Sequence, residues 1–171
     1  PKTSQPAIGA YKKAYDNLLA QDKEIICLTL SSKLSGAFNS AVQAKKLFDE
    51  ETQKKIFVLD TLNVDVGEAL LAIRAAKLIE KGESSENIFQ SLEKLLPRVH
   101  LFGMLEDPKW LEAGGRINST MARILEKMQG LGMRPILKVK NGEVKSANLK
   151  MQAKDTATAL FKEVKNLIKK N

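Results

Sequence analysis

Residues 28–36 of this chain read Leu-Thr-Leu-Ser-Ser-Lys-Leu-Ser-Gly, and they join an apolar run to a helical pattern. The run from Ile25 to Leu30 is typical of a buried strand. After the small hydroxyl residues and the glycine, apolar residues recur at helical spacing from Ala37 to Phe48. This order predicts a strand, a loop and a helix that together form one unit of an α/β fold.

The loop of this unit is a candidate anion site. The first N–H groups of a helix have no partner within the helix, and they lie at the positive end of its macrodipole. Ser31, Ser32 and Ser35 add neutral hydroxyl donors, so the expected ligand group is a carboxylate or a phosphate. The alternative is that a serine at this position only caps the helix, as serines commonly do.

The alternation of strand and helix patterns continues on both sides of the loop. Strands are predicted at residues 25–30, 55–59 and 99–105, and helices at residues 6–20, 35–50, 66–81 and 84–96. Parallel strands need crossover connections, which are usually helical. The order therefore predicts a mainly parallel sheet with flanking helices.

A different pattern begins at about residue 107. Helices are predicted at 118–127 and 154–169, and strands at 135–140 and 143–149. The two strands are joined by Asn141-Gly142, which is the favoured two-residue hairpin turn. We therefore expect an α/β subdomain over residues 1–106, which carries the candidate loop, and a smaller α+β subdomain containing a β-hairpin over residues 107–171.

The composition is that of a globular chain. Hydrophobic residues make up 43% and charged residues 28% of the 171 residues, which is ordinary for a chain with an apolar core. No apolar run approaches the length of a membrane-spanning helix. Cys27 is the only cysteine, so an intrachain disulfide is excluded and a reducing, cytoplasmic location is expected.

The chain is basic, with 28 Lys and Arg against 20 Asp and Glu and a formal charge of +8. Such an excess can indicate a nucleic acid or an anionic membrane as partner. No zinc-finger spacing or aromatic RNA-binding pattern accompanies the charge, so we expect a solvated surface and no nucleic acid partner. A basic regulatory or nucleic-acid-binding module stays open as an alternative.

The sequence lacks several parts of an enzyme. His100 is the only histidine, so a Ser-His-Asp arrangement has no support, and no glycine-rich nucleotide loop or spaced set of metal ligands is present. We expect no catalytic residue, no metal and no cofactor. Asp60 and Asp65 flank the end of the second predicted strand, where a helix cap is the expected role. A small hydrolase or transferase that uses Ser35 remains the enzymatic alternative.

Four motifs follow one another at a characteristic spacing. They are Thr3-Ser4-Gln5-Pro6, Ser31-Ser32-Lys33-Leu34-Ser35-Gly36, Gly114-Gly115-Arg116-Ile117 and Arg134-Pro135-Ile136-Leu137. In order and spacing they resemble the DegV family, which includes the fatty-acid-binding subunits of bacterial fatty acid kinase. The resemblance covers nearly the whole chain.

The resemblance implies a protein that is not itself an enzyme and that binds one long-chain fatty acid in a tunnel. Thr3 and Ser35 match the positions that hold the acyl carboxylate, and Ser32 and Gly36 are expected beside them. Arg116 is expected at the pocket mouth, where it contacts the kinase partner rather than the ligand. The kinase would make acyl phosphate for phospholipid synthesis, and a transient contact with an anionic membrane surface is also expected.

Members of the family have two further segments that are not among these 171 residues. One is an Asp-Ser-containing strand before the first motif, and the other is a His- and Gly-containing segment that contributes to the carboxylate site. We therefore expect this chain to be a fragment of a longer two-domain protein, with the sheet and the tunnel open on one side.

Overall fold

The computed structural model describes residues 3–104, 109–131, 133–151 and 156–169. The helices are α1 (Ile8–Leu19), α2 (Ala37–Lys45), α3 (Glu50–Lys54), α4 (Asp65–Ile79), α5 (Ser85–Leu95), α6 (Lys109–Ala113), α7 (Ser119–Gly130) and α8 (Thr156–Ile168). The strands are β1 (Ile25–Thr29), β2 (Ile56–Asp60), β3 (Leu101–Met104), β4 (Met133–Lys140) and β5 (Glu143–Met151). Among the helices of these residues, none is long and apolar enough to cross a bilayer.

The chain divides into two compact units. One unit is Ser4–Val99, and the other combines Pro1–Thr3 with His100–Asn171. The boundary expected from the sequence, between residues 106 and 107, lies outside the described residues. β3 belongs to the second unit, where it pairs with β4.

The unit Ser4–Val99 is a parallel pair of strands between two layers of helices, as the alternating pattern predicts. β1 and β2 pair in parallel from Ile25 opposite Ile56 to Thr29 opposite Asp60. One layer, α1 and α2, buries Tyr15 and Ala44 against Ile25 and Ile56. The other layer, α4 and α5, packs its apolar residues around Leu59. Burial on both faces explains why both strands are apolar runs.

The helix predicted over residues 35–50 ends earlier, at Lys45 of α2, and the short helix α3 begins only at Glu50. The chain turns after Lys45, and Asp49 then caps α3 by accepting a hydrogen bond from the N–H of Thr52 at 2.9 Å. An aspartate at this position supplies the acceptor that the first turn of a helix lacks. Ser84 caps α5 in the same way, and Gly82, with φ +77°, follows the end of α4.

The second unit contains the predicted β-hairpin. Lys140 pairs with Glu143, and Asn141 and Gly142 have φ angles of +52° and +83°, as the type I′ turn requires. β3 is added antiparallel to β4, with Leu101 opposite Val139. The expectation that the strand over 99–105 extends the parallel sheet is therefore wrong, because its pairing partner is the hairpin.

α7 covers the sheet of the second unit with an apolar face. Asn118 caps this helix by accepting from the N–H of Met121 at 2.8 Å. Ala122 and Leu125 of α7 are buried together with Ile117 and with Leu137 of β4. α8 contacts β3 in the same unit. The segment that enters α7 is thus fixed both by a cap and by a buried isoleucine.

Candidate functional site

The loops that follow β1 and β2 are joined by hydrogen bonds. The N–H and the hydroxyl of Thr61 both donate to the carbonyl oxygen of Thr29, at 3.1 and 2.8 Å. The N–H of Ser31 donates to the carbonyl oxygen of Asn63 at 2.8 Å. Ser31 and Thr61 are fully buried and Asn63 is nearly so. The carboxyl ends of the two strands therefore form one ordered edge, which is where α/β sheets bind ligands.

Asp60, the last residue of β2, connects the two loops through one carboxylate oxygen. Its Oδ1 accepts from the N–H of Ser32 at 3.1 Å and from the N–H of Leu62 at 3.0 Å. Asp60 thus binds loop amides and does not cap a helix. Asp65 is the first residue of α4, and that helix has no side-chain cap. The expectation that these aspartates cap a helix is wrong for this reason.

Ser31 organises the loop of residues 31–36 from its inner side. Its carbonyl oxygen accepts from the N–H of Leu34 at 2.9 Å and from that of Ser35 at 3.1 Å. Its hydroxyl oxygen accepts from the N–H of Lys33 at 3.2 Å. The buried Ser31 therefore has a structural role, and Ser32 and Ser35 are the serines of this loop that face outward to some degree.

More of the N–H groups in the loop of residues 31–36 have acceptors within the protein than the sequence predicts. The N–H groups of residues 32–35 all have acceptors within the protein. At the start of α2 no side chain caps the helix, and among the described residues no acceptor is found for the N–H groups of Phe38 and Asn39. The donors that remain for an anion are therefore those of the first helical turn.

Ser35 stands immediately before these donors. Its Oγ accepts a hydrogen bond from the N–H of Ala37 at 3.2 Å. A hydroxyl that accepts one hydrogen bond still has its own proton to donate. Half-buried Ser35 can therefore combine a cap-like contact with donation to a ligand, so the two roles considered for it are compatible.

The carboxamide of Gln5 lies against the Cα of Gly36. A Cβ atom at Gly36 would lie 2.9 Å from the carboxamide carbon and nitrogen of Gln5. The bare Cα thus leaves room for Gln5 to lie against the loop. This contact brings Gln5 of the first motif against the loop of residues 31–36, and both lie inside the unit Ser4–Val99.

Asn63 was not among the candidate residues, although it anchors the second loop. Its Nδ2 donates to the carbonyl oxygen of Val99 at 3.3 Å, and its Oδ1 lies where a Cβ of Gly67 would be. Leu62 and Asp65, on either side of it, have φ angles of +49° and +50°. Such angles are uncommon for residues other than glycine. The available sequence signal was a polar residue in the loop that follows β2.

Thr3 and Arg116 are hydrogen-bonded to each other in the second unit. Nη2 of Arg116 donates to Oγ1 of Thr3 at 3.1 Å. Thr3 is exposed and Arg116 is half-buried. Thr3 is expected to be a ligand of the carboxylate, whereas Arg116 is expected to contact a partner. The hydrogen bond places them side by side.

Two glycines position Arg116, each for a different reason. Gly115 has a φ of +71°, and its N–H donates to the carbonyl oxygen of Glu112 at 2.8 Å as α6 ends. This is the left-handed helix ending that glycine adopts without strain. A Cβ at Gly114 would overlap Nη1 of Arg116. Gly114 therefore leaves a path along which the arginine side chain folds back.

The five candidate residues thus fall into two sets. Ser32, Ser35 and Gly36 lie in the loop before α2, and Thr3 and Arg116 form the hydrogen-bonded pair of the second unit. Their roles towards a ligand or a partner remain predictions.

Nucleophilic chemistry finds little support in the geometry. Cys27 is half-buried in β1, and its burial raises the pKa of the thiol, which disfavours the reactive thiolate. Within the described part of the chain, no group of three or more His, Cys, Asp or Glu side chains could hold a metal ion.

Comparisons with a family profile and with curated proteins indicate the same family. The sequence profile of the DegV family, described as uncharacterised protein, matches residues 1–171. A DegV domain-containing protein of Clostridium acetobutylicum is 34% identical over 144 residues, which are 84% of this chain and 50% of that protein. The chain thus spans about half the length of this curated relative.

Solved structures have the same fold. A DegV family protein from Thermus thermophilus, described by its fatty acid binding, is 29% identical with a TM-score of 0.81, and the match covers 97% of this chain and 57% of that one. The fatty acid kinase B3 protein of Streptococcus pneumoniae, loaded with linoleic acid, has a TM-score of 0.83 at 24% identity, covering 97% and 57%. At that identity the second likeness supports the fold alone.

Proposed function

Because the chain belongs to the DegV family, we propose that it binds one long-chain fatty acid by its carboxylate and presents that carboxylate to a separate fatty acid kinase. In this proposal the protein is not itself an enzyme and has no metal or cofactor. It acts in the cytoplasm, where the product, an acyl phosphate, would enter phospholipid synthesis.

The observation that carries the proposal is the arrangement at Ser35. Its hydroxyl accepts from Ala37 and keeps a proton to donate, next to the N–H groups of Phe38 and Asn39 at an uncapped helix start. A carboxylate accepts such neutral donors without needing an arginine as counter-ion. We propose Ser35 and Thr3 as its direct ligands, with Ser32 and Gly36 beside them.

The acyl chain would supply most of the binding energy. Each methylene group removed from water contributes about 0.8 kcal/mol, so a long chain outweighs the few hydrogen bonds at the carboxylate. The polar loop then sets the orientation of the ligand rather than its affinity. This division suits a protein that must later expose the carboxylate to another protein.

We propose two contacts for presentation and loading. Arg116 is the proposed contact with the kinase, since charged residues at a rim mainly tune association. An anionic membrane surface is the second proposed contact. Residues 4–99 contain 13 basic and 13 acidic side chains, so the whole formal charge of +8 falls on residues 1–3 and 100–171, which hold 15 basic and 7 acidic side chains.

The direct test is identification of the ligand. The chain is purified from a bacterial host without added lipid, denatured, extracted and analysed by mass spectrometry. We expect fatty acids in roughly equimolar amount to the protein, and palmitate binding by the delipidated chain in equilibrium dialysis. Absence of both would contradict the proposed function, and covalent labelling of Ser35 by a fluorophosphonate would favour the enzymatic alternative.

A further inference from the structure

We propose that Arg116 is a positioning residue for the fatty acid site, because it orients the hydroxyl of Thr3. This inference rests on the proposed function and deepens it. It gives Arg116 a role in the free protein, in addition to the proposed contact with a kinase.

The argument begins with the hydrogen bond between the two side chains. A guanidinium has only donors, so at 3.1 Å from Nη2 the Thr3 oxygen must act as the acceptor. The proton of the hydroxyl then points away from the guanidinium. The proton of a freely rotating hydroxyl samples several directions. The proton of Thr3 is instead directed away from Arg116, where it is available to a ligand.

The cation also makes that donor stronger. Hydrogen bonds that involve a charged group are shorter and stronger than neutral ones, and a hydroxyl that accepts such a bond is polarised towards donation. Arg116 is suited to this because a guanidinium is planar and presents its N–H donors in a fixed geometry. A carboxylate that accepts the proton of Thr3 would therefore gain from Arg116 without touching it.

The chain around Arg116 is arranged to hold this geometry. The carbonyl oxygen of Leu111 accepts the N–H of Arg116 at 2.9 Å, and the next residue, Ile117, is buried. Gly114 has no side chain at the place that Nη1 of Arg116 occupies, and its Cβ would lie 3.0 Å from the arginine Cδ. The backbone of Arg116 is thus fixed on both sides, and the path of its side chain depends on Gly114.

The test is a double-mutant cycle on palmitate affinity, measured by equilibrium dialysis with the delipidated 171-residue chain and no kinase present. Arg116→Ala should weaken binding about fivefold, which is the net effect of one ordinary hydrogen bond. Thr3→Val removes the hydroxyl at constant shape and should weaken binding by at least as much. In the Thr3→Val background, Arg116→Ala should then change the affinity by less than about twofold, because it acts only through Thr3.

Two further variants separate positioning from charge. Gly114→Ala keeps Arg116 and its charge but displaces the guanidinium, and it should reproduce most of the loss of Arg116→Ala. Arg123→Ala removes an exposed positive charge of α7 and should leave the affinity unchanged. Thr3→Ser, which restores a hydroxyl, should recover most of the binding lost in Thr3→Val.

The outcomes distinguish this inference from the proposed function. The unaltered chain could bind palmitate while the Thr3 and Arg116 substitutions lower the affinity independently, with multiplicative effects. This result would overturn the positioning role and leave the proposed function standing. An unchanged affinity of Arg116→Ala would do the same. A chain that binds no fatty acid would reject the proposed function and this inference with it.

Discussion

At the scale of single residues, the hydroxyl of Ser35 has two hydrogen-bonding capacities that serve different purposes. Its oxygen accepts from Ala37, and its proton is available to a ligand. Ser35→Ala should therefore weaken palmitate binding by about 1–3 kcal/mol, because a charged carboxylate loses a donor. The loss of stability should be smaller, about 1 kcal/mol or less, since one half-buried N–H loses its acceptor.

Equilibrium dialysis and thermal unfolding of the same preparations check this prediction. Ser119→Ala, at an exposed position of α7, is the matched control and should change neither quantity. If Ser35→Ala lowers the melting temperature while the affinity stays constant, Ser35 is only a cap and the proposed ligand role fails.

A second prediction at the scale of single residues concerns Asp60. Its Oδ1 holds the N–H groups of Ser32 and Leu62 together, so Asp60→Ala leaves two loop amides without their acceptor. We expect a loss of about 1–3 kcal/mol in the free energy of unfolding, and weaker palmitate binding. Asp60→Asn keeps one acceptor oxygen and should recover part of both.

Urea unfolding of these variants gives the free energies. Glu24→Ala is the control, since Glu24 is exposed and its side chain makes no hydrogen bond or ion pair among the described residues. Such a surface change should stay within about 0.5 kcal/mol. Equal stability of Asp60→Ala and Glu24→Ala would show that the loops hold together without Asp60.

At the scale of secondary structure, two helical glycines should respond to the same substitution with opposite sign. Alanine is favoured over glycine in a helix by up to about 1 kcal/mol. A Cβ atom added at Gly9 of α1 would meet no other atom within 4 Å, so Gly9→Ala should stabilise the chain. Gly67 of α4 is covered by Asn63, and Gly67→Ala should destabilise it by about 1–3 kcal/mol, the usual cost of overpacking.

The comparison is made by chemical unfolding of the two variants beside the parent chain. The double variant Gly67→Ala with Asn63→Ala tests the cause, because it removes the side chain that the new methyl group would displace. A stabilised Gly67→Ala single variant would mean that the loop after β2 adapts at little cost.

The elements also show where local sequence stops being informative. Periodicity and turn residues predicted the parallel pair β1 and β2, the hairpin at Asn141-Gly142 and the helix start near Ser84 because each is set by neighbouring residues. The pairing of β3 with β4 joins residues 32 to 38 positions apart, from Met104 with Ile136 to Leu101 with Val139, and an apolar run of this length fits either sheet.

The candidate site shows the same limit. The sequence does not distinguish Ser31, Ser32 and Ser35 from one another. Only the fold buries Ser31 as an acceptor and leaves the hydroxyl proton of Ser35 available for donation. The role of Asn63 depends on the backbone of Gly67 and Val99, and that of Gly114 on the side chain of Arg116, and no spacing rule reveals either. The motif at residues 31–36 could be located from sequence, but the separate roles of its serines could not.

At the scale of the whole molecule, the uneven distribution of charge leads to the last prediction. Lys162 and Lys165 of α8, and Lys169 directly after its end, are exposed and lie in the basic unit, and the helix exposes Phe161 and Ile168 to 66% and 70%. Lysines near an anionic bilayer contribute about 1 kcal/mol each, and exposed apolar groups add to this. The chain should sediment with phosphatidylglycerol vesicles and not with phosphatidylcholine vesicles, and binding should fall as salt screens the charges.

A pair of charge-matched variants locates the contact. Replacing Lys162, Lys165 and Lys169 by glutamate should reduce binding to phosphatidylglycerol vesicles by at least about 100-fold, because roughly 1 kcal/mol per lysine is lost. The control replaces three exposed lysines of the neutral unit by glutamate, and these are Lys23, Lys46 and Lys81. Both variants have the same net charge, so a loss confined to the first assigns the contact to α8. Equal losses would show that only the net charge matters, and no binding of the parent chain would remove the membrane from its proposed partners.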